Sequence, residues 1–210
     1  MAEIEKEFHK ALAELRKEEE RKFNQTLDLI INLQKFDAKK ESVNLFVQVP
    51  HKIKEKKVCA ILTTKHPHLD TITEADFKRY SDKKELKKLD KSYDFFIAQA
   101  VLMPKVATVF GRVLGPSGKM PSPQMGIVAS ADDKSIDELL KKISHSIKIK
   151  SKEPSLKLGI GKQSMKDEEL IENAVTVYNS IVKVLPKGLD NVKSIEIKFT
   201  MTKPQKISIK

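Results

Sequence analysis

The chain has 210 residues, 40% of them apolar and 33% charged, with 40 Lys+Arg against 29 Asp+Glu for a net charge of +11. That length holds one large domain or two small ones, and the single cysteine, Cys59, excludes a disulfide framework and a thiolate metal site. The opening MAEIEKEFHKALAELRKEEE is acidic and amphipathic rather than a secretory leader, and no apolar run reaches membrane-spanning length, so a soluble, cytoplasmic chain with no membrane partner is expected. Residues 1–50 hold nine basic and ten acidic side chains, while residues 51–210 hold 31 and 19. An excess of that size draws in polyanions, nucleic acid first, and places their contacts in the middle and C-terminal parts.

In chain order, residues 3–34 predict a helix. Ile4, Phe8, Leu12 and Leu15 recur at three to four residues, and Phe23, Leu27, Ile30 and Ile31 continue the spacing past a break near Asn24. The charged run RKEEERK within it reads as a solvated helical face. VNLFVQV (43–49) predicts a strand closed by Pro50, and HKIKEKK (51–57) a basic connector. VCAILTT (58–64) and YDFFIAQAV (93–101) predict strands covered on both faces, separated by the short helical stretches ITEADFKRY and DKKELKKLD. Pro104 sits where a first-turn proline opens a helix, continued by VATVFGRVLG.

LGPSGKMPSPQMG (114–126) has three prolines, one lysine and no acid, and predicts a stiff folded loop with exposed backbone N–H groups. GIVAS (126–130) predicts a further strand. Residues 133–147 predict a helix with Ile136, Leu139, Leu140, Ile143 and Ile147 on one face, capped by Asp132 or Asp133. SIKIK (146–150) and LKLGIG (156–161) are extended, and DEELIENAVTVYNSIVKVLP (167–186) is a helix stopped by Pro186 and Gly188. VKSIEIKFTMT (192–202) and KISIK (206–210) form a strand pair around Lys203-Pro204.

The middle alternates strands with short helices, the pattern of a parallel α/β unit. Neither terminal piece has enough apolar residues for a core of its own. The fold class is therefore both α/β and α+β, in two domains. Residues 1–51 and 150–210 form a split α+β sandwich, and residues 52–149 form an inserted, Rossmann-like, three-layer α/β domain. Two chain crossings join them, which permits hinge motion.

Catalytic and metal chemistry find little footing. Gly118-Lys119 is followed by Met120, so the phosphate-cradling G-x-x-x-x-G-K-[ST] is missing, as is G-x-G-x-x-G. His66-Pro67-His68 with Asp70 nearby lacks metal-ligand spacing. Asp132-Asp133 reads as a helix start, and Ser164 lacks a nucleophile elbow. No catalytic residue, metal ligand or cofactor is expected. RNA contact has more support. Phe36, beside Lys35, is either a core residue or a stacking platform. Gly159, Gly161, Lys162 and Ser164 make a small, donor-rich loop, and Thr200-Met201-Thr202-Lys203 ends a late strand.

Together these stretches resemble the ribosomal protein L-one family, the protein of the mobile stalk beside the exit site. GRVLGPSGKMPSPQMG resembles its glycine- and proline-rich signature, and RKFNQTLDLIINLQKFD its first helix with a Lys-Phe-Asp turn. LKLGIGKQSM is similar to its Gly-Lys-x-Ser loop and KFTMTKPQKI to its Thr-Met signature, in an archaeal or eukaryotic style. The resemblance covers nearly the whole chain. It implies a non-enzymatic constituent of the large ribosomal subunit, monomeric when free, whose split domain holds stalk rRNA through Lys35, Phe36, Lys162, Ser164, Thr200, Met201 and Thr202. It further implies that Arg112, Ser117 and Lys119 face exit-site tRNA and assist its release, and that the protein represses its own mRNA. Thr202 stands where the family has glycine, which implies a different local backbone or weaker RNA contact there. The alternatives are a nucleotide-dependent Rossmann-like enzyme and a non-specific basic RNA chaperone.

Overall fold

A computed structural model describes residues 2–18, 21–37, 43–129, 132–150 and 153–208. The chain folds into two compact units: Met1–Lys54 with His145–Lys210, and Glu55–Ser144.

In the first unit, α1 (Ala2–Leu15) turns Phe8, Ala11, Leu12 and Leu15 inward along one stripe, as their helical spacing requires. The helix stops there. Residues 26–33, expected to continue it, form strand β1 (Thr26–Leu33), with Leu27, Leu29, Ile31 and Leu33 buried and the residues between them only half-buried. TLDLIINL fits both periods over a few residues, but only the two-residue alternation fits all eight, and its β-branched members favour the strand.

β1 is central in an antiparallel sheet of order β10-β9-β1-β8, between β8 (Ser155–Lys162) and β9 (Val192–Phe199), with β10 (Gln205–Ile207) at one edge. Ile209 and Lys210 of the expected last strand lie outside the described residues. α1 packs against β9 and β10, and α5 (Asp167–Val184) against β8 and α1, so both helices cover the same face. The other face carries Asp28, Asn32, Lys157 and Lys198, none of them buried.

Strands β2 (Asn44–Gln48) and β7 (Ser146–Lys150) pair antiparallel, extended by a bond from the Val49 N–H to the His145 carbonyl (2.7 Å). That pairing ends the preceding helix early: α4 spans Asp133–Ser144, and Ile147, expected on its face, lies opposite Val47 in β7. Just beyond β2, the fully buried Asn173 of α5 accepts from the His51 N–H (3.0 Å) and donates to the carbonyls of His51 (3.1 Å) and Ile160 (3.0 Å).

The second unit is a parallel sheet of order β4-β3-β5-β6: β3 (Val58–Ile61), β4 (Asp70–Ile72), β5 (Phe95–Gln99) and β6 (Ile127–Val128). Cys59, Ile61, Phe96 and Ala98 pack with Leu86 and Leu89 of α2 (Lys83–Ser92) and with Val106, Phe110 and Leu114 of α3 (Met103–Ser117). The alternate residues Ala60 and Ile97 point the other way and are equally buried, so both sheet faces are covered. A 3-10 helix, Glu74–Ser81, adds Phe77, edge-on to Phe110 at 5.2 Å. Of the expected strand 126–130 only Ile127–Val128 pair, and Ser130 lies outside the described residues.

Asn173→Ala strips two carbonyls, those of His51 and Ile160, of this donor and the His51 N–H of its acceptor at a fully buried position. Unfolding free energy should fall by about 2–4 kcal/mol in a urea titration, against well under 1 kcal/mol for the exposed Glu168→Ala.

Candidate nucleic-acid interface

One end of the first unit's sheet gathers three chain segments: the approach to β1 (Phe23–Thr26), the exit of β8 (Lys162–Ser164) and the exit of β9 (Thr200–Thr202). Antiparallel register makes this unavoidable, since Thr26 lies opposite Lys162 and Leu27 opposite Phe199.

Gln25, 2% exposed, locks the three together. Its carbonyl accepts from the Gln163 N–H (2.8 Å) and its side-chain oxygen from the Met201 N–H (3.0 Å), while its amide donates to the Gln163 side chain (3.2 Å). Asn24 adds a reciprocal pair with Ser164, donating to the hydroxyl (2.9 Å) and accepting from the N–H (3.2 Å). The Thr200 hydroxyl accepts from the Thr26 N–H (3.1 Å). Arg16, at the end of α1, braces the β8–α5 loop, donating to the Asp167 carboxylate (2.6 Å) and to the carbonyls of Gln163 (3.2 Å) and Met165 (3.0 Å).

A bulge aims the cluster's lysine. The β1–β8 register shifts between Leu27 and Asp28, so Asp28 faces Gly159 while Leu27 faces Gly161, and Ile160 is absorbed into the core. The extra residue changes parity, so Lys162 emerges on the open side and donates to the Thr26 hydroxyl (2.8 Å). Gly161 suits the spot, because a Cβ there would stand 2.2 Å from Leu170 Cδ2. Burial pushes the Asp28 carboxyl above its usual range, while Lys198 and then Lys162 pull it back.

The rim is exposed and mixed in character. Phe23 is 50% exposed and Met201 60%, and Arg21 and Lys22 form no ion pair among the described residues. Arg16, Arg21, Lys22, Phe23, Asn24, Gln163 and Ser164 line a shallow, open hollow of about 420 Å³. Large apolar side chains held outward beside free cations suit bases and phosphates together.

Of the residues expected to hold RNA, Lys162, Ser164, Thr200, Met201 and Thr202 meet here. Thr202 is spent on the turn: its hydroxyl accepts from the Phe199 N–H (2.9 Å) and its own N–H donates to the Phe199 carbonyl (3.2 Å), without a left-handed backbone. Lys35 and Phe36 do not join them. They follow the far end of β1, about 23 Å away along the strand. Phe36 packs on the core there, and Asn191 donates to the Gln34 (3.0 Å) and Lys35 (3.2 Å) carbonyls, holding Lys35 in the left-handed region at φ 53°. The Lys-Phe pair at the cluster is Lys22-Phe23. The signal for it lay in TLDLIINL: read as a strand, that run turns RKFN into the loop ahead of it.

The glycine- and proline-rich stretch also departs from expectation. Gly115–Ser117 form the last turn of α3, and the N–H groups of Gly118, Lys119 and Met120 turn back onto the carbonyls of Leu114 and Gly115. Those donors, expected to be exposed, cap a helix C-terminus, the electronegative end that disfavours phosphate. Lys119 Nζ points inward to the carbonyls of Asp90 and Tyr93 (the latter 3.0 Å). Arg112 stands exposed one turn back on α3, and the exposed Ser117 donates its hydroxyl to the Leu114 carbonyl (3.2 Å).

Other reactive groups are quiet. Burial, then Asp70, pushes the Cys59 thiol up to about 12, leaving it unreactive at neutral pH. The His66 side chain is 5% exposed and lies 3.0 Å from the Asp133 carboxylate. Among the described residues no three His, Cys, Asp or Glu side chains group to hold a metal ion, and no helix is long and apolar enough to cross a membrane.

The pattern of the ribosomal protein L1p/L10e family matches residues 15–203. The chain is similar to "Large ribosomal subunit protein uL1" of Thermofilum pendens, 38% identical over 90% of this chain and 86% of that one. It is also similar to the proteins of that name from Methanothermococcus thermolithotrophicus (37%, 89% and 90%) and Cenarchaeum symbiosum (33%, 94% of each). A match that takes in α1's last residue, the whole inserted unit and the Thr200–Thr202 turn leaves one conclusion: this chain belongs to the ribosomal protein L1p/L10e family.

Proposed function

We propose that the protein is a structural, non-enzymatic constituent of the large ribosomal subunit, working in cytoplasmic ribosomes, and that it grips the stalk rRNA with the three-segment cluster of its first unit. The supporting observation is the buried Gln25, which fixes the Phe23–Thr26, Lys162–Ser164 and Thr200–Thr202 segments before any ligand arrives. A surface set in advance spends little binding energy on ordering itself. Lys22, Arg21 and Lys162 supply the sequence-independent attraction to phosphate. Phe23 and Met201 offer faces to unstacked bases, and Ser164 and the Thr200 backbone offer polar partners to 2′-hydroxyls. The same surface would accept a similar fold in the protein's own mRNA, repressing translation. The inserted unit meets exit-site tRNA and moves with it as it leaves.

The enzyme reading loses ground because the GPSG segment ends a helix rather than opening one. A general RNA chaperone would bind every RNA alike, with affinity collapsing as salt rises, whereas a shaped surface retains preference.

In a filter-binding titration with the stalk rRNA fragment, Phe23→Ala and Met201→Ala should each weaken binding about 10- to 100-fold, as loss of a base contact does. Phe36→Ala should leave affinity within about twofold, though it lowers stability; equal losses from Phe23 and Phe36 would refute this site. A chain in which a short Gly/Ser linker replaces residues 55–144 should keep a folded circular-dichroism spectrum and wild-type rRNA affinity, while losing tRNA contact.

A further inference from the structure

The inserted unit carries a second surface that the rRNA cluster does not use. Between α2 and α3 lies a groove of about 360 Å³. Its floor is aliphatic, made by Leu86, Val109 and Val113, and Lys83 and Arg112 stand on its rim. Neither cation forms an ion pair among the described residues, although acids abound nearby in sequence. Each acid of the 74–92 segment is already engaged. Glu74 pairs with Lys105, Asp76 accepts from the Thr73 N–H (3.0 Å), and Asp82 caps α2 at the Lys84 N–H (3.0 Å). Glu85 holds Lys88 (2.7 Å) and lies 3.8 Å from Arg79, and Asp90 lies 3.6 Å from Lys119. Lys78, Lys83, Lys84, Lys87 and Lys91 are left without an ion pair among the described residues, so the segment that borders the groove carries an uncompensated positive charge.

We propose that this groove docks an acidic amphipathic helix of a protein partner, its aliphatic side chains on the Leu86–Val109–Val113 floor and its carboxylates on Lys83 and Arg112. An aliphatic floor under a basic rim matches that chemistry. RNA matches it less well, since none of the lining residues offers an aromatic platform for a base. The surface of α3 is also low beside Arg112. Gly111 and Gly115 have nothing within 4 Å of where a Cβ would stand, so no packing within the protein requires glycine at either place. Each weakens the helix by about 1 kcal/mol relative to alanine, and each leaves room for another backbone to come close.

The test is fluorescence anisotropy of the full chain with a labelled amphipathic peptide of about fourteen residues, leucines on one face and glutamates on the other. Saturable binding is expected, weakened roughly tenfold or more by Arg112→Glu or Lys83→Glu and untouched by Met201→Ala. Both reversed residues are exposed, and thermal melts establish that the variants fold. The proposal is overturned if the peptide fails to bind or if binding ignores both reversals. It is equally overturned if a peptide of the same composition in scrambled order binds as well, or if the reversals affect only a poly(U) probe, which would make the groove an RNA site.

Discussion

The pairing of β1 with β8 on one side and β9 on the other is the constraint from which the first unit follows. It draws a strand from the first 33 residues between two strands from the last 56. No core can close over α1 or α5 without it, because the face those helices cover is assembled from both ends of the chain. The antiparallel geometry then dictates where function can sit. The start of β1 must coincide with the ends of β8 and β9, and nothing else brings these segments together.

Register alone would leave three loops near one another but loose. What makes them a surface is the economy of Gln25 and Asn24, whose few polar atoms tie the two C-terminal turns to the N-terminal one. Gln25 does so while buried, where an amide left without partners would cost about 1–3 kcal/mol per group. Order among the turns is therefore enforced by the penalty of losing it. The bulge at Ile160 contributes in the same spirit, sacrificing one ladder position so that Lys162 and Gly159 share the open face.

Much of this was legible in the sequence, and the failures have physical reasons. Hydrophobic patterning puts the seams between tails and insert at 51/52 and 149/150, whereas the compact units meet at 54/55 and 144/145, because β7 pairs with β2. Lys162, Ser164, Thr200 and Met201 stand out in the sequence by their places at strand ends. Residues 26–33 misled because Leu27, Ile30 and Ile31 satisfy a helical stripe, and only tertiary pairing selects between the periods. With β1 a strand, Lys35 and Phe36 lie beyond its far end and Lys22 and Phe23 ahead of its start. Lys119 misled for a different reason. A lysine in a glycine- and proline-rich loop looks exposed until the helix C-terminus beneath it claims the loop's own N–H groups.

The bond from the Met201 N–H to Gln25 spans 176 positions, which sets a condition on biosynthesis. At about 5–20 residues per second, a translating ribosome delivers the second partner roughly 10–35 s after the first. Until β8 is made both hydrogen-bonding edges of β1 are bare, and until β9 is made one of them still is, a hazard for aggregation. The inserted unit, whose parallel sheet is complete by residue 128, is free to fold earlier. The three-segment surface is therefore absent from an unfinished polypeptide and forms only in chains that have run past Met201.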